Sequence, residues 1–264
     1  MSDIFRGILI VNIKSMDYLP LMERWLLRDH AEEFVGQIGH SLVRYVSHRA
    51  VPAPPEALPY GYYNWRVTEV WMRGSPGGKD LLSVTWPKDY AEITSHRFGE
   101  KEWKGRPGGP YPAAQCTIPV RPTDDFMGSE RTLGEKNILR WYFLIKYPDG
   151  VSVEEGDDWY LNVHAKEVMQ QPGLTRFYSY RVNESMPGRP ASRWHRLTEQ
   201  WYENFSGWRE SVIDSPPKYT KPPWAKYDKY PFFEPFVDFV GTFILEKPTN
   251  NFLIDNLAYV CDCC

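Results

Sequence analysis

Hydrophobic and polar residues follow a regular succession of patterns in the first half of the chain. Apolar residues recur at a spacing close to 3.6 over residues 18–37, which predicts a helix, and a second helix is predicted at about residues 89–98. Short runs rich in Ile, Val, Thr and aromatic residues predict strands around these helices. The predicted strands are residues 7–14, 42–51, 65–73 and 114–120.

The second half of the chain repeats this succession. Periodic apolar residues predict helices over residues 153–170 and 207–215. Runs of β-branched and aromatic residues again predict four strands, separated by loops that contain Pro and Gly. These strands are residues 137–146, 174–183, 194–202 and 236–245. Both halves therefore have the predicted element order βαββαβ.

Short motifs indicate that the two halves are copies of one unit. His30 and Glu33 return as His164 and Glu167, 134 residues later. Two strand motifs return at offsets of 132 and 130 residues, namely residues 44–49 as 176–181 and residues 66–71 as 196–201. Three matches in the same order indicate a tandem duplication.

The duplication predicts the architecture. We expect a first ferredoxin-like repeat over residues 1–121, a second over residues 136–250 and a tail over residues 251–264. The helices of a βαββαβ unit cover one face of an antiparallel sheet, so the other apolar face needs a partner. The predicted fold class is α+β, with two tandem ferredoxin-like (βαββαβ) repeats that form a pseudo-dimeric α+β barrel around a chamber. Pro-rich loops at residues 51–60 and 216–235 would cover the chamber mouths.

The motifs resemble those of a known superfamily. A helix with a His-Ala-x-Glu box, a second strand that ends in Arg and a third strand with Thr-Glu-x-Trp resemble the dimeric α+β barrel superfamily, and within it the EthD-type domains. The resemblance covers residues 8–120 and 138–247. It implies cofactor-free chemistry on aromatic, polyketide-like or lactone substrates, as performed by isomerases, cyclases, monooxygenases and decarboxylases. Other branches of the superfamily bind haem.

Composition narrows the function classes. The chain has 264 residues, 31 Lys and Arg against 34 Asp and Glu, a net charge of −3 and 16% aromatic residues. Balanced charge argues against nucleic acid or an anionic membrane as a partner, and no apolar run reaches the roughly 18 residues of a membrane span. Three of the four cysteines lie in the last four residues, which suits a reducing compartment. We expect a cytoplasmic protein, with a homodimer compatible with the fold.

The repeated histidines are the candidate catalytic residues. His30 and His164 occupy equivalent positions, each with a carboxylate three residues later, Glu33 and Glu167. Residues three apart share one helix face, so each pair can hydrogen-bond or line one pocket. A neutral imidazole can take up and return a proton near neutral pH. The alternative is a histidine that packs against the sheet in both repeats.

Charged residues on the predicted strands are candidate substrate ligands. Arg49 and Arg181 end the second strand of each repeat, and Glu69 and Glu199 lie inside the third. An unpaired charge is unfavourable to bury, so one interpretation is an Arg–Glu pair between strands two and three of each repeat. The other interpretation is that each arginine binds a substrate carboxylate or phenolate.

The second strands of the two repeats differ in residues that could bind substrate. The first repeat has Tyr45 and His48, and the second has Tyr178 and Tyr180. His48 adds a titratable ring, whereas the tyrosine hydroxyls can donate to an oxyanion. The pattern leaves open which repeat holds the active site.

Together these features predict a cofactor-independent enzyme of the lyase, decarboxylase or isomerase type. Its substrate would be a small aromatic or polyketide-like acid, bound in the inter-sheet pocket and acted on by histidine general acid–base chemistry. No metal site is expected, because Cys261, Cys263 and Cys264 have no nearby histidine. One alternative is a haem-binding dismutase-like or peroxidase-like protein with a helix histidine as axial ligand. Another is a non-catalytic protein that binds an aromatic ligand.

Overall fold

The first repeat contributes four strands at the predicted places. The computed structural model describes residues 4–74, 85, 87, 113–129, 138–183 and 192–253. The strands are β1 (Ile4–Val11), β2 (Leu42–Arg49), β3 (Arg66–Arg73) and β4 (Ala113–Ile118). One more strand, β5 (Asp124–Met127), lies in the segment that joins the repeats. The helix predicted at residues 89–98 lies outside the described residues.

The second repeat contributes the other strands. Its four predicted strands are all present, and a short one follows them. These strands are β6 (Leu139–Ile145), β7 (Leu174–Arg181), β8 (Arg196–Tyr202), β9 (Phe239–Leu245) and β10 (Asn250–Asn251).

A long helical stretch follows the first strand of each repeat and contains a π-helical segment. In the first repeat its parts are α1 (Leu19–Arg24), the π-helical segment Trp25–His30 and α2 (Ala31–Ile38). In the second they are α3 (Val153–Trp159), the π-helical segment Tyr160–His164 and α4 (Ala165–Val168). The repeated histidine is the last residue of the π-helical segment in both. Such segments are rare in proteins and are frequent at functional sites.

The second predicted helix of the second repeat is also present. It consists of α5 (Phe205–Arg209) and a π-helical segment (Glu210–Asp214). The side-chain oxygen of Asn204 caps its start, because it accepts hydrogen bonds from the backbone N–H groups of Ser206 and Gly207 at 2.9 and 3.2 Å.

The strand order of each sheet is that of a ferredoxin-like unit. The first sheet has the order β10-β2-β3-β1-β4 and the second has the order β5-β7-β8-β6-β9. Neighbouring strands in both sheets are antiparallel. Strands one to four of each repeat thus follow the order 4-1-3-2. The predicted fold class, two tandem ferredoxin-like repeats that form a pseudo-dimeric α+β barrel, is confirmed.

The two repeats exchange an edge strand. β5 follows the last strand of the first repeat but pairs with β7, and β10 follows the last strand of the second repeat but pairs with β2. The backbone N–H of Thr123 donates to Ser179, and that of Thr249 donates to Ser47, both at 2.9 Å. The predicted polar joint therefore contains a strand, and each sheet includes residues from beyond its own repeat.

Each sheet buries one face against the other sheet and one face against helices. The alternation of side chains along the strands separates the two faces. Apolar residues between the sheets include Ile8, Ile10, Val67, Tyr142, Leu144, Leu197, Val240 and Ile244. Apolar residues between the sheets and the helices include Met22, Leu26, Val70 and Met72 in the first repeat, and Trp141, Phe143, Trp159 and Trp208 in the second.

A buried arginine connects helix and sheet in the first repeat. Arg66 of β3 binds Glu23 of α1 through Nε at 2.9 Å and through Nη2 at 2.5 Å. Its Nη1 atom donates to the side-chain oxygen of Asn250 on the exchanged strand β10 at 3.0 Å. Although burial opposes the shift, the hydrogen bonds and charge of Arg66 lower the pKa of Glu23 to about 2.

The second repeat has an equivalent arginine. Arg196 of β8 binds Asp157 of α3 through Nε at 2.7 Å and Nη2 at 2.9 Å. Its Nη1 atom donates to Asp124 of the exchanged strand β5 at 2.6 Å. Strand three, the first helix and the exchanged strand are therefore joined in the same way in both repeats.

The sequence predicts that the Pro-rich loops cover the chamber mouths, but their aromatic residues lie on the helix side of the second sheet. Tyr60 of the first loop lies edge-on to Trp141, with 5.6 Å between ring centroids, on the helix side of the second sheet. Tyr230 of the second loop stacks on His164 at 5.8 Å, also on the helix side. Both loops instead add aromatic rings to the core between helices and sheet, where large apolar rings are most stabilised by burial.

Candidate functional site

The sheets divide the predicted site residues into two groups. One group lies on the helix side and consists of His30, Glu33, Tyr45, Arg49, His164, Glu167 and Arg181. The other lies between the sheets and consists of His48, Glu69, Tyr178, Tyr180 and Glu199. The two histidines therefore do not face the inter-sheet pocket in which their chemistry was predicted. The reason is that the helices that hold them cover the outer face of each sheet.

His30 lies in a half-buried aromatic site at the end of its π-helical segment. Its ring stacks on the Trp25 indole, with 4.7 Å between ring centroids, and is tilted toward Phe34 at 5.9 Å. Burial lowers the pKa of His30 to about 4, although the charge of Glu33 opposes the shift. The imidazole is therefore neutral at pH 7, and its low pKa means that a proton taken up in a reaction would be returned readily.

Tyr45 of β2 also lies in this aromatic site, and its hydroxyl is buried. Its ring contacts Phe34 at 5.1 Å and Phe252 at 4.5 Å. Within the described part of the chain, the Tyr45 hydroxyl has no hydrogen-bond partner. Burial raises the pKa of Tyr45 above its ordinary value, with the charge of Arg66 opposing, so the hydroxyl stays protonated and can donate. We call the group Trp25, His30, Phe34 and Tyr45 the first cleft.

The equivalent histidine of the second repeat is enclosed. His164 is 1% exposed and stacks on Trp159 at 4.9 Å and on Tyr160 at 5.1 Å. Tyr219 and Tyr230 of the Pro-rich loop also lie against its ring, at 6.2 and 5.8 Å. Burial lowers the pKa of His164 to about 3. These surroundings agree with the packing interpretation of this histidine, and we call the five residues the second cleft.

Hydrogen bonds fix the tyrosines of the second cleft. The Gln171 amide donates to the Tyr219 hydroxyl and, at 3.3 Å, to the Tyr230 hydroxyl. The amide oxygen of Gln171 accepts from Tyr202 at 2.8 Å. The chain's own phenol rings therefore occupy the space beside His164, whereas His30 is half-buried. The first cleft is the better candidate for a ligand site.

The repeated carboxylates bind threonines. Glu33 accepts hydrogen bonds from the backbone N–H and the hydroxyl of Thr85 at 2.6 and 2.5 Å. Glu167 accepts the same pair from Thr220 at 2.9 and 2.5 Å. Each carboxylate thus holds a distant segment against its helix. The sequence left open whether each Glu hydrogen-bonds to its histidine or lines a pocket with it, and the hydrogen bonds of both carboxylates go to these threonines.

The repeated arginines at the ends of strand two point away from the carboxylates of strand three. Arg49 pairs with Glu23 of α1 at 2.8 Å. Arg181 lies four residues after Phe177 on β7, whose ring packs in the helix-side core, so strand alternation places Arg181 on the helix side as well. The predicted pairs of Arg49 with Glu69 and of Arg181 with Glu199 do not match these positions, because alternate residues of a strand face opposite sides of the sheet.

The buried carboxylates between the sheets pair instead with strand one. Arg6 of β1 binds Glu69 at 2.9 Å, and Arg140 of β6 binds Glu199 at 3.2 Å. Arg6 also lies 3.7 Å from Glu199, so the pairs connect across the two sheets. Sequence reasoning missed both arginines. They are 134 residues apart, the offset of the repeated histidines, so the duplication contained the signal.

His48 and Tyr180 occupy equivalent positions between the sheets. Nδ1 of His48 lies 3.0 Å from the carbonyl oxygen of Leu245, and burial together with the charge of Arg140 lowers the pKa of His48 to about 4. Tyr180 lies against Arg6, whose guanidinium carbon is 4.9 Å from the ring centroid. His48 of the first repeat therefore lies near Arg140 of the second, and Tyr180 of the second lies against Arg6 of the first. Tyr178 packs edge-on against Trp201 at 5.2 Å.

Two further features concern metals and membranes. Among the described residues, no cluster of three or more His, Cys, Asp and Glu side chains could hold a metal ion. Cys261, Cys263 and Cys264 lie outside the described residues. Within the same ranges, no helix combines the length and the apolar content needed to cross a bilayer.

A comparison with protein families matches the first repeat. Residues 2–97 match the family described as the chalcone isomerase N-terminal domain, and this range contains the first cleft's Trp25, His30, Phe34 and Tyr45. No curated protein matches the chain. The EthD-type resemblance of the motifs stays a prediction.

Solved structures of similar shape include three proteins with low sequence identity. An anthrone oxidase-like protein is 10% identical, with a TM-score of 0.48 over 95% of this chain and 93% of its own. A putative monooxygenase from Lactobacillus acidophilus NCFM is 10% identical, with a TM-score of 0.32 over 80% and 82%. One from Fusobacterium nucleatum is 8% identical, with a TM-score of 0.34 over 80% and 82%. The fold class rests on the strand order of this chain itself.

Proposed function

We propose that the chain is a small-molecule enzyme of the isomerase or lyase type, and that it transfers a proton at the first cleft. His30 is the proposed general base and acid, Tyr45 the proposed hydrogen-bond donor, and Trp25 one wall for a planar aromatic substrate. The proposal differs from the sequence prediction in its location, which is now between helix and sheet in the first repeat.

One observation carries the proposal. A half-buried imidazole, kept neutral by burial, shares an aromatic cleft with a buried tyrosine hydroxyl that has no hydrogen-bond partner among the described residues. An unsatisfied buried hydroxyl is unfavourable by about 1–3 kcal/mol, so a fold retains one where a ligand or ordered water satisfies it. Phe34 contacts both His30 and Tyr45, which places the base and the donor on one wall.

The chemistry that fits is proton abstraction next to a carbonyl group. Neutral His30 takes a proton from the carbon beside the carbonyl, and the electron pair of the C–H bond moves to form an enolate. The Tyr45 hydroxyl donates to the enolate oxygen and stabilises its charge. The imidazolium then returns the proton to another carbon of the conjugated system, which completes an isomerisation. The reaction moves one proton from one carbon of the substrate to another and leaves the overall oxidation state unchanged, so it needs no electron acceptor.

The family match supports this class of reaction. The matched family takes its name from an isomerase, and its range covers the first cleft and stops before the second repeat. The two similar putative monooxygenases and the anthrone oxidase-like protein carry no argument about chemistry here, because their resemblance is one of overall shape.

Hydrogen exchange tests the proposed step without knowledge of the natural substrate. In D₂O, the chain should accelerate deuterium uptake at the benzylic position of phenylacetone, which NMR follows directly. His30→Ala should remove this acceleration, and Tyr45→Phe should reduce it by about tenfold, the loss of one hydrogen bond to a developing charge.

The control for this experiment is the exposed His40, which lies two residues after α2 ends. His40→Ala should leave the exchange rate unchanged. Exchange that survives in His30→Ala, or that falls equally in His40→Ala, would contradict the proposed role of His30.

A further inference from the structure

The two sheets differ at one pair of equivalent positions on the faces that meet each other. In the second sheet Tyr142 pairs across the strands with Glu199 and with Thr242. At the equivalent place in the first sheet Ile8 pairs with Glu69 and with Cys116. The second sheet therefore has two hydroxyls where the first has an aliphatic side chain and a thiol.

These hydroxyls lack partners. Tyr142 and Thr242 are each 1% exposed, and in the part of the chain that is described neither hydroxyl forms a hydrogen bond. Residues such as Ile8 and Cys116 would fill an apolar core without leaving a polar atom unsatisfied. Two unsatisfied hydroxyls on adjacent strands indicate that another molecule supplies their partner.

The neighbouring guanidinium groups have unused donors as well. Nε of Arg6 and Nε of Arg140 are buried and have no hydrogen-bond partner within the described ranges. Tyr142 lies close enough to Arg6 for each to affect the other's pKa. All four unpaired atoms can donate a hydrogen bond, and the two Nε atoms can do nothing else. The missing partner is therefore rich in acceptor atoms.

The charge between the sheets favours an anion. Each buried carboxylate is matched by an arginine, and His48 is neutral because burial lowers its pKa to about 4. Among the ion-paired side chains on the inter-sheet faces of the described strands, four arginines lie against three carboxylates, which gives one surplus positive charge. They are Arg6, Arg44, Arg140 and Arg176 against Glu69, Glu199 and Asp125.

We propose that the space between the sheets binds an organic monocarboxylate, whose oxygen atoms accept hydrogen bonds from Tyr142, Thr242 and Arg6. This site lies on the opposite face of the sheet from the first cleft, so it does not depend on the proposed proton transfer. Trp71, Trp201 and Tyr178 are partly exposed at the same end of the layer, next to Arg44, and provide flat apolar surface for the body of the ligand.

Calorimetric titration with benzoate tests the proposal. The chain should bind benzoate, Tyr142→Phe should weaken this binding by about tenfold or more, and Thr242→Val should weaken it less. Benzyl alcohol, which has the same ring without the charge, should bind much more weakly. His30→Ala should leave benzoate binding unchanged, which separates this site from the first cleft.

Thermal denaturation provides the second readout. Without benzoate, Tyr142→Phe should leave the melting temperature unchanged or raise it, because it removes an unsatisfied hydroxyl. With saturating benzoate, the same variant should melt below the parent chain. Absence of benzoate binding, equal binding of benzyl alcohol, or a lower melting temperature of Tyr142→Phe without benzoate would each overturn the proposal.

Discussion

In the first cleft His30 is half-buried beside Tyr45, whereas in the second cleft His164 is 1% exposed and covered by Tyr219 and Tyr230. The surrounding contacts are otherwise alike, since each histidine stacks on a tryptophan five residues earlier. The repeated residues therefore report a shared packing arrangement. The residues that differ are the basis for proposing the first cleft as the ligand site.

The shared arrangement explains why the His-x-x-Glu motif occurs twice. The Trp25 indole donates to the carbonyl oxygen of Thr85 at 2.5 Å, and Trp159 donates to that of Thr220 at 3.1 Å. Glu33 and Glu167 bind the same two threonines. Tryptophan and glutamate together anchor a distant segment on each helix, which is a role in folding.

The largest effect is expected where the two repeats are joined. Arg196 is 2% exposed and binds both Asp157 and Asp124, whereas Arg66 binds one carboxylate and one amide. Arg196→Met removes the only arginine bonded to Asp124 among the described residues and leaves Asp157 with the Tyr147 hydroxyl alone as hydrogen-bond donor there, so it should lower the free energy of unfolding by about 3–5 kcal/mol in urea titrations. Arg66→Met should lose less. Equal losses would mean that the contact of Arg196 with Asp124 adds no more stability than the contact of Arg66 with the Asn250 amide.

The matched control is an arginine at the surface. Arg209 pairs with Asp214 and Glu56, but its side chain is 50% exposed. Arg209→Met should leave the free energy of unfolding nearly unchanged, because exposed ion pairs contribute little.

Two helix glycines should respond in opposite directions. A Cβ atom at Gly156 in α3 would lie 2.3 Å from the Tyr147 ring, whereas one at Gly36 in α2 would meet nothing within 4 Å. Gly156→Ala should therefore destabilise the second repeat by about 1–3 kcal/mol, and Gly36→Ala should stabilise the first by about 0.5–1 kcal/mol. Urea unfolding of both variants measures this. Stabilisation by Gly156→Ala would show that the Tyr147 ring can move aside to make room for the Cβ atom.

Enclosure of His164 should make stability depend on pH. In the unfolded chain His164 is protonated below its ordinary pKa of 6.5, whereas in the folded chain it stays neutral down to about pH 3. Stability contributed by neutral His164 is therefore lost as the pH falls through this window. Between pH 7 and pH 5 His164 contributes about 2 kcal/mol of loss, so His164→Leu should lose about 2 kcal/mol less than the parent chain, while the loss due to His30 and His48 remains. An unchanged loss in that variant, measured by urea unfolding at both pH values, would contradict the enclosure.

The smallest effect is expected at Tyr45. Its hydroxyl has no partner among the described residues, whereas the Tyr202 hydroxyl lies 2.8 Å from Gln171 and 2.7 Å from Gln200. Tyr45→Phe should leave the free energy of unfolding unchanged or raise it, because it removes an unsatisfied hydroxyl, and Tyr202→Phe should lower it by about 1–3 kcal/mol. A large loss in Tyr45→Phe would show that its hydroxyl is already satisfied.

Most of the fold could be predicted from the sequence, because the duplication repeats its patterns. The apolar period of residues 18–37 and the alternation of residues 42–51 correspond to the helical stretch and to β2. The exchanged strands β5 and β10 could not be predicted in this way. They have four and two residues, and the partner strand that pairs with them is distant in sequence.

The site was harder to predict than the fold, because side-chain direction depends on register. Arg49 and His48 are neighbours in sequence but lie on opposite sides of the sheet. Glu33 binds Thr85, 52 residues away, whereas helix spacing alone favours His30 as the residue closest to the Glu33 carboxylate. The enclosure of His164 depends on Tyr219 and Tyr230, which come from a loop without periodic pattern.

Chemical modification of the histidines tests the central claim most directly. Diethyl pyrocarbonate reacts with accessible neutral imidazoles, and peptide mass spectrometry identifies which ring has reacted. If the first cleft is the active one, His30 should be modified while His164 is protected, and the deuterium exchange of phenylacetone should fall in step with the modification of His30. Loss of that exchange while His30 remains unmodified, or equal modification of His164 in the folded chain, would contradict the account.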